Sequence, residues 1–217
     1  NWEAVFIDDM SDDDTIFMVN HTVGNDNAAF GSGALNANTE GEQNTAIGRA
    51  ALGNNTTADN NTAVGYTALL ANTTGEHNIG IGNGAVNGCD TESHNLGIGT
   101  DALGGGSVSG GEYNVAVGNY TLDELTSGDS NTCVGYGAGT SILQSDRNCC
   151  FGESAGGSIT TGGENIMIGQ NSGNAGTALT TGDTNIFIGE KINAGASGRL
   201  RSIVIGTPNS ASKGDNT

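Results

Sequence analysis

The sequence predicts an all-β chain, a parallel β-roll or solenoid of about eleven rungs of about 17 residues. Three observations lead there. An asparagine recurs at Asn27, Asn44, Asn61, Asn78, Asn95, Asn114, Asn131, Asn148, Asn165 and Asn185, with Ser202 next in register; the step is 17 residues except for 19 before Asn114 and 20 before Asn185. Four positions later every copy has a glycine: Gly31, Gly48, Gly65, Gly82, Gly99, Gly118, Gly135, Gly152, Gly169, Gly189 and Gly206. The residue before that glycine is always Phe, Ile or Val. A rung of this length is too short for a helix pair, and β-branched residues dominate its apolar positions, so the rungs are built from short strands.

Taken in chain order, residues 1–26 precede the register. "AVFIDD" and "TIFMVNHTV", joined by the acidic "DMSDDD", read as a β-hairpin that caps the open end of the stack or serves in assembly. The repeat domain is 27–206. In each rung the first strand occupies the three positions after the asparagine, as in Thr45-Ala46-Ile47, and a bend follows at the glycine. A second short strand is expected at the apolar pair Ala34-Leu35, Ala51-Leu52, Ala68-Leu69, Ala85-Val86 or Ala102-Leu103. A polar return closes the rung with turn chemistry such as Asn72-Thr73-Thr74-Gly75. The glycine supplies backbone angles that a side chain forbids. The asparagines are expected to stack, their amides hydrogen-bonding up the column. The two longer steps predict loops around 104–113 and 175–184. Residues 207–217 form a polar tail.

The first strand is apolar on three consecutive positions, so both of its faces should be buried. The expectation is that positions one and three (Thr45 and Ile47, Ile79 and Ile81, Val115 and Val117, Ile166 and Ile168) fill the roll. Position two, small or apolar in Ala46, Ala63, Ala116, Cys133, Cys150, Met167 and Phe187, is then the subunit interface of a homo-oligomer.

The formal net charge of −18, with six Lys and Arg in all, argues against nucleic acid and against docking on anionic membranes. No run of about 18 apolar residues is present, so no membrane insertion is expected. The sequence opens on Asn1 rather than Met, as in a processed chain or a piece of a longer one.

"NTAIGRAAL" (44–52), "NTAVGYTAL" (61–69) and "NIGIGNGAV" (78–86) resemble the head repeats of trimeric autotransporter adhesins, repeats also found in bacteriophage tail fibres. The resemblance spans 27–206. It implies a left-handed parallel β-roll, a homotrimer, and an extracellular or virion-surface fibre. The repeat here is longer than the usual head repeat, and no heptad stalk, basic neck or membrane anchor accompanies it. A phage fibre segment or related surface filament is therefore expected over a whole autotransporter.

Several residues invite chemistry. Gly152-Glu153-Ser154-Ala155-Gly156 matches the nucleophile-elbow pattern, but the rung already accounts for its glycine and alanine, and no strand-to-helix context surrounds it. No enzyme is expected. His77 and His94 share a phase one rung apart and, with Glu76, Asp129 and Asp146, are candidate metal ligands; solvated surface positions account for them more simply. The acidic column of Glu42, Asp59, Glu76, Glu112, Asp129, Asp146 and Asp183 is a candidate Ca²⁺ site, with a solvated acidic face as the simpler reading. No other cofactor is expected. Stacked Cys133 and Cys150 are close enough for a disulfide, although small buried filling explains them as well. Tyr66, Tyr113, Tyr120 and Tyr136 are candidate contacts to a cell-surface glycan or protein receptor.

The function expected is a non-enzymatic structural fibre or adhesin segment, a trimeric rod for attachment or spacing. The alternative is a subunit of a self-assembling extracellular filament, joined end to end through the N-terminal hairpin. An ice-binding solenoid is disfavoured, because the Thr45, Thr62, Thr132 phase is interrupted by Ile79, Leu96 and Val115.

Overall fold

A computed structural model of the chain describes residues 26–105 and 111–206. The N-terminal hairpin (apart from Asp26), part of the 104–113 loop and the polar tail lie outside those residues. Within them, each asparagine is followed by one three-residue strand: β1 (Ala28–Phe30), β2 (Thr45–Ile47), β3 (Thr62–Val64), β4 (Ile79–Ile81), β5 (Leu96–Ile98), β6 (Val115–Val117), β7 (Thr132–Val134), β8 (Cys149–Phe151), β9 (Ile166–Ile168), β10 (Ile186–Ile188) and β11 (Ile203–Ile205). They form a single parallel sheet in sequence order, each strand pairing in register with the next. The chain is an all-β parallel β-solenoid with rungs of about 17 residues.

Among the described residues the second strand is absent. The Ala-Leu pair lies in a turn, with Leu35, Leu52, Leu69 and Leu103 at φ of 49°, 49°, 53° and 55°. Left-handed backbone cannot continue an extended strand. The rungs still join there, since the Leu35 N–H donates to the Ala51 carbonyl at 3.1 Å and the Leu52 N–H to the Ala68 carbonyl at 3.0 Å.

The recurrent glycines explain themselves in the stack. At Gly99, φ is 134°, and a Cβ would stand 2.6 Å from the carbonyl oxygen of Gly118 in the next rung. The conformation excludes a side chain, and so does the spacing between rungs.

The two strand faces are reversed from the sequence expectation. Position two points into the roll: Ala46, Ala63, Ala116, Cys133, Cys150, Met167 and Phe187 are fully buried within the single chain, so they are core residues and no subunit interface. Positions one and three face out, with Ile47, Ile81, Phe151 and Ile168 among the exposed apolar side chains. The interior is narrow because position two shares it with the turn residue eight positions past the asparagine and another at eleven. Where Leu or Val fills the turn, only Ala or Gly stands at position two, and the β-branched pairs are left outside.

Volume inside the roll is conserved by exchange. Early rungs combine Ala or Gly at position two with Leu or Val in the turn and Asn38, Asn55, Asn72 or Cys89 at position eleven, all buried. Later rungs place Cys133, Cys150 or Met167 at position two, Gly139, Gly156 or Gly173 in the turn, and Ile142, Ile159 or Leu179 behind them. A Cβ on Gly139 would lie 2.8 Å from Cys133 Sγ and 3.0 Å from Ile142 Cδ1, so its missing side chain makes room for theirs. The longer step before Asn185 is absorbed with Gly176 and Thr177 outside and Leu179 back in the core.

Candidate functional site

The asparagine column is a structural ladder, more fully satisfied than simple amide stacking. Each Oδ1 accepts the backbone N–H of the next rung's asparagine, as Asn44 accepts from Asn61 at 2.9 Å and Asn114 from Asn131 at 2.9 Å. Each Nδ2 of Asn44, Asn61 and Asn131 donates across the roll to a carbonyl of the return turn: Ala58, Gly75 and Ser145, at 2.7, 2.8 and 2.8 Å. Direct amide-to-amide bonds add to these from Asn114 onward. A second ladder of Asn38, Asn55 and Asn72 runs through the first rungs, with the Asn55 Nδ2 donating to Asn38 Oδ1 at 2.8 Å. Its 17-residue recurrence was legible in "NANTEG", "NNTTAD" and "ANTTGE", although those residues read as ordinary turns.

The acidic column is also a ladder. Asp59, Asp129, Asp146 and Asp183 accept the backbone N–H of Glu42, Glu112, Asp129 and Gly163 at 2.6, 2.8, 2.9 and 2.8 Å. These carboxylates thus join rungs. Among the described residues no group of three or more His, Cys, Asp or Glu is placed to hold a metal ion. The His77 and His94 rings stack at 5.1 Å, and Tyr113 continues the stack at 4.9 Å from His94. Rings packed face to face along a column do not converge their nitrogens on one point. Glu76 precedes His77 in its rung, while Asp129 and Asp146 lie several rungs further on.

The tyrosines are all exposed but form no single patch. Tyr120 meets Tyr136 edge-on at 5.7 Å, and Tyr66 lies under the Arg49 guanidinium at 5.7 Å, four rungs from Tyr136 in the same column. Tyr113 belongs to the column just before the asparagines. Ser154 of the elbow-like motif sits in a turn at φ 52° with its N–H on the Tyr136 carbonyl, and neither described histidine is in its rung or an adjacent one.

All four cysteines are free. Burial is the main cause holding the Cys89, Cys133 and Cys149 thiols above their ordinary range, with Glu92 adding to it at Cys89 and Cys150 at the other two. None of these three is an activated nucleophile.

The most distinctive surface is the outer face of the sheet. Its residues run from Ala28 and Phe30 to Ile203 and Ile205, and no position on it carries a charge in any of the eleven strands. Ile79, Ile81, Ile98 and Phe151 are 38%, 38%, 36% and 57% exposed. Ten strand spacings of about 4.8 Å make a stripe about 48 Å long, and three-residue strands give it an apolar area of roughly 500 Å². That is at the upper end of what monomers leave uncovered. The Thr45, Thr62 and Thr132 phase lies on this face, interrupted by Ile79, Leu96 and Val115 as expected. No family model, curated protein or solved structure matches the chain.

Proposed function

We propose that the chain is a non-enzymatic structural segment of a fibre or adhesin at a cell or virion surface, in which copies pack side by side through the outer face of the sheet. One observation carries this reading: a charge-free parallel sheet eleven strands long faces outward. Parallel sheets are ordinarily covered on both faces, and a solvated face ordinarily alternates in polar residues. The apolar stripe runs along the stacking axis, so neighbours aligned on it extend as a rod.

Three copies are proposed because the NTAIG-type rungs resemble repeats that assemble as trimers, and three such stripes meeting at an axis cover one another. The acidic and aromatic columns of the return side remain outside such an assembly, available for a glycan or protein receptor. The net charge of −18 keeps the outer surface soluble and away from polyanions.

The test is a charged substitution on the face that leaves the roll interior untouched. Ile81→Lys with Ile98→Lys is expected to convert the assembly to monomers in sedimentation velocity while the far-ultraviolet β-signal persists. An unchanged assembly mass would remove the sheet face from the interface.

A further inference from the structure

The return side of the later rungs carries a groove of about 530 Å³, in which Asp146, Arg147, Gly163, Glu164, Asp183 and Arg201 line the floor and walls. Its origin is a gap in a column. The position two before each asparagine is Glu112, Asp129, Asp146 and Asp183 in neighbouring rungs, but Gly163 in the ninth, so no side chain fills the space between Asp146 and Asp183. The groove spans the rungs from Asp146 to Arg201, about three spacings or 14 Å along the solenoid axis. None of its lining residues belongs to a strand of the sheet, although Arg147, Glu164, Thr184 and Arg201 each stand two positions before one.

We propose that this groove binds a linear, uncharged saccharide chain running along the rod. Its walls offer what a row of sugar hydroxyls needs, acceptors and donors side by side in fixed positions. One oxygen of Asp146 is held by the Asp129 N–H at 2.9 Å and one of Asp183 by the Gly163 N–H at 2.8 Å, which fixes each carboxylate and leaves its second oxygen for a ligand hydroxyl. Arg147 is oriented by Glu164 at 2.9 Å, and Gln144 and Thr161 add an amide and a hydroxyl. Three carboxylates against two guanidiniums nearly balance, which suits a neutral chain better than a polyanion. Leu200 is the one large apolar residue of the lining, too little for a peptide's side chains.

The proposal gives the attachment reading its ligand class and rests on it, yet assembly and saccharide binding are read separately because the two surfaces are distinct. The experiment titrates the full chain with cellohexaose, maltohexaose and chitohexaose by calorimetry, and records the assembly mass of the same samples by light scattering. The closing variant is Gly163→Glu. It restores the side chain that other rungs carry at this position, and a Cβ there meets nothing nearer than the Asp146 carbonyl oxygen at 3.1 Å. The expected result is binding of at least one hexasaccharide with a Kd below about 1 mM, weakened about tenfold or more by Gly163→Glu and by Arg147→Ala at unchanged assembly mass. Failure of all three sugars, binding indifferent to both variants, or preference for an oligogalacturonate polyanion would each overturn the proposal. A monomeric mass with intact saccharide binding would instead overturn the assembly reading alone.

Discussion

Replacing Asn131 by alanine isolates the energetic role of the asparagine ladder. Asn131 is fully buried. Its Nδ2 donates to the Ser145 carbonyl at 2.8 Å, and its Oδ1 accepts the Asn148 N–H at 3.0 Å. The alanine variant leaves both of those backbone groups without these partners inside the roll. The other affected groups keep a bond: Asn148 Nδ2 retains Ser145 Oγ at 3.0 Å, and Asn114 Oδ1 retains the backbone N–H of residue 131 at 2.9 Å. At about 1–3 kcal/mol for each orphaned buried group, the loss is about 2–6 kcal/mol. With a urea slope of about 2–3 kcal/mol/M, the midpoint falls by about 0.7–3 M. The assay is urea unfolding followed by circular dichroism at one fixed protein concentration, because assembly shifts the midpoint. Asn27→Ala is the internal comparison: Asn27 makes the corresponding bonds to the Gly41 carbonyl and the Asn44 N–H at 2.7 and 2.8 Å, but it is only half-buried in the first rung. It should cost less than half as much. A loss under about 1 kcal/mol for Asn131→Ala, or equal losses at the two sites, would refute the ladder argument.

Three further outcomes follow from the packing and the charges. Gly99→Ala, with its Cβ forced to 2.6 Å from the Gly118 carbonyl at φ 134°, should destabilise by more than about 3 kcal/mol, whereas Gly163→Ala should change little in the same thermal melt. Gly139→Leu crowds Cys133 and Ile142 and should cost about 1–3 kcal/mol, much of it recovered when Ile142→Asn recreates the pairing of Leu52 with Asn55; purely additive effects in that double-mutant cycle would contradict the volume exchange. The carboxyl of Asp123 is held above its ordinary value by burial first, then by the charges of Asp101 and Glu124, and among the described residues its Oδ1 has no hydrogen-bond partner. The folded state therefore keeps this proton longer than the unfolded chain, so this group's contribution to stability declines as pH rises from the ordinary carboxylate value through the raised one. Asp123→Asn should flatten that decline and raise Tm at pH 7; a lower Tm with an unchanged slope would reverse the assignment.

The rung was legible because its constraints are the same in every copy. Every Gly31-type glycine up to Gly189 meets the next rung's backbone in the same way, and every buried Asn44-type amide closes the same corner, so both recur at fixed spacing. The strands fell on the three predicted positions for the same reason. Ala51-Leu52 read as a second strand because an apolar pair looks extended, and a leucine does not advertise φ near 50°. The faces were reversed because the alternation showed two apolar faces without saying how wide the roll is. Its width depends on Leu52 and Asn55 sharing the interior with Ala46, a three-body fit that appears only once the turn is closed. The groove was hidden for a related reason. It is made by the side chain that Gly163 lacks, which becomes visible only when Asp146 and Asp183 are stacked on either side of it.

The central claim is that the charge-free sheet face is covered by other copies of the chain. Absolute mass by light scattering, across a wide range of concentrations, tests it most directly. A concentration-independent species near three times the 21.6 kDa chain mass is expected. A stable monomer of 21.6 kDa would contradict it, because the eleven-strand apolar face would then stand in water.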